Sequence, residues 1–155
     1  MRSENRHFCT PLEFVQERLL LFRGVIKMAK RVFLSFVEED LALVNLFRGQ
    51  AKNKNNDLEF FDYSVKEPYD STNASYIRSK IRERIALASV TLCLIGEMTA
   101  TSRWVDWEIR ASKEEHNRIV GVRLHSSARD IIPKALSELN ATVVDWDIDK
   151  IVGLL

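Results

Sequence analysis

From Lys30 onward, short apolar runs alternate with stretches in which apolar positions recur every three or four residues. Arg31–Phe36 (Arg-Val-Phe-Leu-Ser-Phe) is rich in strand formers. The acidic Glu38-Glu39-Asp40 follows, suited to a helix start, and Leu41, Val44 and Leu46-Phe47 continue at helical spacing to about Ala51. The polar run from Lys52 reads as a loop, and Leu58–Phe61 as a second strand. After a long segment containing Pro68, the stripe Ala74, Ile77, Ile81, Ile85 and Ala88 defines an amphipathic helix. Val90–Gly96 is almost continuously apolar, as a parallel strand buried on both faces should be. A helix opening at Thr101 or Ser102 reaches about Asn117. Ile119–Leu124 is a fourth strand, Lys134–Leu139 a short helix with Pro133 at a tolerated first position, Thr142–Trp146 a fifth strand and Ile148–Leu155 a last helix.

Five strand–helix repeats without hairpin signals predict an α/β fold, an open parallel sheet with helices on both faces. Ligands of such sheets lie outside the carboxyl ends of the strands. Those ends are Phe36-Val37, Asp62-Tyr63-Ser64, Gly96-Glu97 and His125-Ser126, with the loop before Trp104 on the same rim. Residues 29–155 are read as one domain. Residues 1–28 form an N-terminal extension, read either as an extra helix (about Pro11 to Phe22) or as an upstream-start artefact, because Met28-Ala29-Lys30-Arg31 directly precedes the first clear strand. Leu19–Phe22 is too short for a span and lacks a small-residue cleavage site, which disfavours a secretory signal.

Composition narrows the chemistry. A net charge of +1 gives no electrostatic case for a nucleic-acid partner. The cluster Arg78, Lys80, Arg82 and Arg84 shares one helix with Glu83 and reads as a solvated face. No run approaches the roughly eighteen apolar residues of a membrane span. The two cysteines are far apart in kind, Cys93 inside an apolar strand and Cys9 in the extension, so no disulfide is expected and a reducing, cytoplasmic location fits. His7, His116 and His125 stand apart from Cys or His at metal-ligand spacing, so no metal site is expected.

The chemistry centres on Ser102-Arg103-Trp104-Val105-Asp106-Trp107-Glu108-Ile109. On a helix Trp104 and Glu108 are one turn apart on the same side, which sets a carboxylate beside an indole at a loop mouth. A lone glutamate in such a place is ordinarily a surface residue; here the neighbouring segments add a likeness. Phe33-Leu34-Ser35-Phe36 followed by Glu39-Asp40 resembles the first box of TIR domains. Ser102-x-Trp104-x-x-x-Glu108-Ile109 resembles the Ser-x-Trp-Cys-x-x-Glu-Leu segment of TIR domains that cleave NAD, with Val105 in place of the Cys. Phe61-Asp62-Tyr63-Ser64 with Lys66-Glu67-Pro68 resembles the prokaryotic TIR-like subgroup that includes the cyclase of the Thoeris anti-phage system. The likeness covers about Lys30 to Leu155. The loop after the second strand has Asp70-Ser71-Thr72-Asn73 where animal and plant TIR domains carry Gly-x-x-Ile.

The resemblance implies a flavodoxin-like or TIR-like sheet and cleavage of the nicotinamide–ribose bond of NAD, a substrate and not a cofactor. It implies Glu108 as the catalytic carboxylate, with Trp104 as an apolar wall that excludes water. Phe36 and Val37 would wall the adenosine half, and Asp62, Tyr63 and Ser64 would bond ribose or phosphate, although a strand-end turn with local bonds accounts for those three equally well. Ser102 completes the set. Asp40 reads as a helix-start residue, and Trp146 as packing at a sheet edge. The implied product is ADP-ribose or a cyclic isomer that signals to a separate effector, with self-association or a phage protein as the trigger. Two alternatives remain: a non-enzymatic TIR-type module acting through homotypic assembly or as an adaptor, in which Glu108 could be a mere surface residue, and a nucleoside deoxyribosyltransferase-like enzyme.

Overall fold

A computed structural model describes residues 29–55, 57–63, 68–126 and 131–155. The expected N-terminal extension and Ser64 lie outside the described residues. Five strands, β1 (Lys30–Ser35), β2 (Leu58–Phe61), β3 (Val90–Ile95), β4 (Arg118–Arg123) and β5 (Thr142–Asp145), pair in the order β2-β1-β3-β4-β5. Every pairing is parallel. This is the flavodoxin-like order, so the chain's direction of winding reverses between β1 and β3, and a crevice opens outside their carboxyl ends.

Alternation along the strands assigns the two faces. Val32 and Leu34, Leu92 and Leu94, and Val120 and Val122 turn to one side and pack with Val44, Phe47 and Ala51 of α1 (Leu41–Lys54) and with Ile151 of α5 (Ile148–Leu154). Phe33, Cys93 and Ile95 turn to the other. They meet the Ile77, Ile81 and Ile85 stripe of α2 (Ala74–Leu87), Val105, Ile109 and Ala111 of α3 (Arg103–Glu114), and Ala135 and Leu136 of α4 (Lys134–Glu138). β3 is buried at all six positions, in keeping with its apolar sequence.

Most boundaries fall within a residue or two of expectation, and three differ for physical reasons. The helix expected to stop near Ala51 continues through Lys52 and Lys54, whose cations suit the negative end of the helix dipole. The helix expected to reach Asn117 ends at Glu114, because His116 takes a left-handed φ of 62° and the Asn117 amide turns inward to donate to the Ile85 carbonyl and Thr91 Oγ1. Pro133 precedes the first turn of α4 with extended ψ and so caps the helix from outside it. Trp146 packs as expected at the sheet end, edge-on to Phe47 with centroids 6.0 Å apart, and its Nε1 donates to Gln50. No helix among the described residues is long and apolar enough to cross a membrane.

Candidate active site at the topological switch point

A cavity of about 300 Å3 opens at the carboxyl ends of β1 and β3. It is lined by Phe36, Val37, Tyr63, Ser102, Trp104 and Glu108, which unites six of the eight residues singled out from the sequence. Glu38, Glu39, Met98 and Thr101 complete the wall. Glu38 and Glu39 belong to a 3-10 turn (Glu38–Asp40) that carries the chain off β1. Thr101 closes a second such turn (Thr99–Thr101) between β3 and α3.

Ser102 builds the far side. With extended backbone ahead of the first turn of α3, its hydroxyl accepts from the Val105 amide at 3.3 Å, satisfying one of the donors a helix start leaves open. Trp104 and Glu108 then follow on one face. Glu108 is only 4% exposed. Its one hydrogen-bond partner among the described residues is Ser35, whose hydroxyl donates to Oε2 at 2.5 Å. Burial pushes the Glu108 pKa up to about 8, and the Ser35 hydroxyl opposes that rise without reversing it. Cys93, paired with Ser35 in the β1–β3 register, has its thiol pKa pushed up by burial and then by Glu108. Among the described residues lining the cavity there are three carboxyl groups and no Lys, Arg or His.

Two further groups read from the sequence lie outside the cavity lining. Asp62 does not line the cavity: its carboxylate accepts from the Arg48 guanidinium, and its carbonyl from Arg84. That pairing leaves the Asp62 side chain no part in the cavity wall. The basic cluster on α2 is also more than a solvated face. Arg78 lies over Tyr69 (4.3 Å from the centroid) and Trp104 (5.7 Å), Arg82 over Trp107 and Arg84 over Tyr63, because the aromatic rings of neighbouring elements crowd that side of the helix. Trp104 is correspondingly held from behind. Tyr69 meets it edge-on at 4.9 Å and Trp107 at 6.2 Å.

Sequence reasoning passed over Ser35 as a site residue. The available signal was a single hydroxyl on the Phe33 face of an otherwise apolar strand, where a buried polar group requires a partner. It also read Asp40 only as a helix start. Asp40 is buried against Gly96, with Oδ2 lacking a hydrogen-bond partner among the described residues. Burial raises its pKa, with the charge of His125 the largest opposing influence.

A family model described as "Thoeris protein ThsB, TIR-like domain" matches residues 33–129, a span from the middle of β1 past the end of β4. The chain belongs to this Thoeris TIR-like family. Within that span fall all the described cavity residues, from Phe36 to Glu108. A Bacillus cereus (strain MSX-D12) protein named "Putative cyclic ADP-D-ribose synthase ThsB1" is 36% identical over 103 residues, covering 64% of this chain. The match spans about half (54%) of that relative's length. The Thoeris TIR-like assignment therefore rests on the stretch that carries the cavity and both of its sequence boxes.

Proposed function

We propose that this Thoeris TIR-like chain breaks the bond between nicotinamide and ribose in NAD and joins the freed anomeric carbon to a nucleophile of the same molecule, giving a cyclic ADP-ribose isomer that signals to a separate effector. The observation that carries the reading is the placement of Glu108: a buried carboxyl group on the wall of the switch-point cavity, one turn from Trp104. An adaptor has no need of a buried carboxyl group on a cavity wall, so the burial of Glu108 favours the enzymatic reading. The name of the Bacillus cereus relative supports the cyclic product.

The chemistry follows from charge. Cleavage of the C1′–N bond returns the bonding electron pair to the pyridinium nitrogen, so nicotinamide departs neutral and needs no proton from a general acid. Positive charge passes to the ribose as an oxocarbenium-like state, as in glycoside cleavage. The ionised Glu108 stabilises that charge from a fixed position in a poorly solvated cavity, where a preoriented charge acts most strongly. Trp104 and Phe36 supply apolar walls that keep water away. Attack by water would release ADP-ribose and a proton; attack by a hydroxyl or ring nitrogen of the bound molecule closes a ring and releases a proton. Effective molarities of roughly 10⁵ M or more for well-oriented groups favour the second route wherever the adenosine half folds back. A cavity of about 300 Å3 sits at the small end of ligand pockets and suits half of a dinucleotide, leaving the remainder outside it.

The test is incubation of the purified chain with NAD, following nicotinamide and ADP-ribose isomers by chromatography. Nicotinamide should appear with a cyclic isomer, and Glu108→Ala and Glu108→Gln should abolish both. Release undiminished in Glu108→Gln would remove Glu108 from the reaction.

A further inference from the structure

Resting on the reading of NAD as substrate, we propose that the cavity exchanges a proton for a cationic ring: Glu108 stands as the neutral acid in the empty site, and an incoming pyridinium drives its proton to solvent, so that oxidised nicotinamide nucleotides are selected over reduced ones. The argument is one of surroundings. Glu108 is held between a strand hydroxyl and an indole-walled cavity, with a neutral group, Ser35, as its hydrogen-bond partner. Among the described residues, the groups around it are Ser35 from β1 and the Cys93 thiol from β3, and the same cavity is lined by Tyr63 beyond β2, by Glu38 and Glu39 of the 3-10 turn, and by Trp104 on its own helix. Arg78 of α2 lies over the Trp104 ring and is not among the residues lining the cavity. Asp106 on α3 is engaged by Arg110. Among the described residues, an ionised carboxylate enclosed in this way has no countercharge, which is costly in a poorly solvated place. The raised pKa of Glu108 agrees with that.

A pyridinium supplies the missing countercharge. The exchange balances as acid plus cation giving a carboxylate–cation pair and one proton released to the buffer. It leaves Glu108 in the form the reaction requires only when the substrate bearing a positive ring is present. A dihydronicotinamide ring is neutral and supplies no such drive. The same pairing explains how a group that is mostly protonated at neutral pH can act as an anion during turnover.

The experiment uses the full chain labelled with 13C at glutamate carboxyl groups, with Glu108→Gln, isosteric to the neutral acid, identifying its resonance. Probes are N-methylnicotinamide methylated on the ring nitrogen, a pyridinium cation, and nicotinamide, a neutral ring of nearly the same shape. Glu108 should ionise far above the other glutamates in the free protein, and saturating N-methylnicotinamide should lower its midpoint by a unit or more. N-methylnicotinamide should bind at least tenfold more tightly at pH 9 than at pH 6, whereas nicotinamide should bind weakly at both. Ionisation of Glu108 together with the other glutamates, equal binding of the two rings, or no binding of the cation at pH 9 would each overturn the proposal. The titration needs no turnover. A chain that shows the linkage but leaves NAD intact would reject the proposed reaction alone.

Discussion

The Asp40 carboxylate lies against the Cα of Gly96, so close that a Cβ on residue 96 would overlap both of its oxygens. Gly96 follows β3 at the rim, and its amide donates to Thr99 Oγ1 at 2.8 Å, which starts the turn leading to Ser102. Asp40 in turn closes the 3-10 turn bearing Glu38 and Glu39. The contact therefore joins the two turns that form opposite lips of the cavity.

Gly96→Ala should accordingly destabilise the chain by about 2 kcal/mol, the scale of overpacking a filled site. Because the obstacle is a side chain, adding Asp40→Ala to Gly96→Ala should restore at least half of the loss. Urea unfolding of the two variants measures this. A double variant no more stable than Gly96→Ala would show that the glycine is required for a different reason.

How much of this was legible beforehand follows from what kind of pattern each feature leaves. The sheet was readable because burial on both faces makes a continuous apolar run, as in Val90–Ile95, and because α2 carries a stripe at strict helical spacing. The pairing of Trp104 with Glu108 followed from helical geometry alone. Ser35 was hidden because its importance depends on which strand face meets α3, a relation set by tertiary packing. The Asp62–Arg48 pairing was illegible for a similar reason: Arg48 is on α1, and nothing local in either segment announces the pair. The Asp40–Gly96 contact joins residues more than fifty positions apart and leaves no periodic signal.

Trp104 is clamped by Tyr69 and Trp107, with Arg78 over the same ring. Tyr69 is itself gripped by Arg78 and Arg103, and Arg103 pairs with Asp70. Removing Tyr69 should free the indole without touching Glu108. Tyr69→Ala is expected to raise the KM for NAD several-fold and to lower kcat less, whereas Tyr69→Phe, which keeps the edge contact, should behave as wild type. Steady-state kinetics of the pair would decide; equal losses in both would assign the effect to the phenol hydroxyl instead.

Ser35 donates to Glu108 and so favours its ionised form. Without that bond the carboxyl group should hold its proton to still higher pH. A hydrogen bond to a charged group contributes roughly 1.5–3 kcal/mol, which corresponds to about one to two pH units. In wild type kcat/KM should rise with pH through about 8, the free-enzyme ionisation of Glu108, and in Ser35→Ala this limb should move upward. A loss of rate at constant pH dependence would mark Ser35 as structural only.

The same carboxyl group links stability to pH. Its pKa is about 8 in the folded chain against an ordinary value of 4.5, so between those limits the folded state retains a proton that the unfolded state gives up. The contribution is fully present below pH 4.5 and is lost as pH rises through about 8. Glu108→Gln is neutral throughout and loses nothing. The variant should nearly match wild type at pH 4.5 and exceed it at pH 8 by on the order of 4 kcal/mol. Urea unfolding at the two pH values measures the difference directly. If the stability of the two proteins ran parallel across that range, Glu108 would be ionised in the folded chain at neutral pH, and the cavity would hold an anion before any substrate arrives.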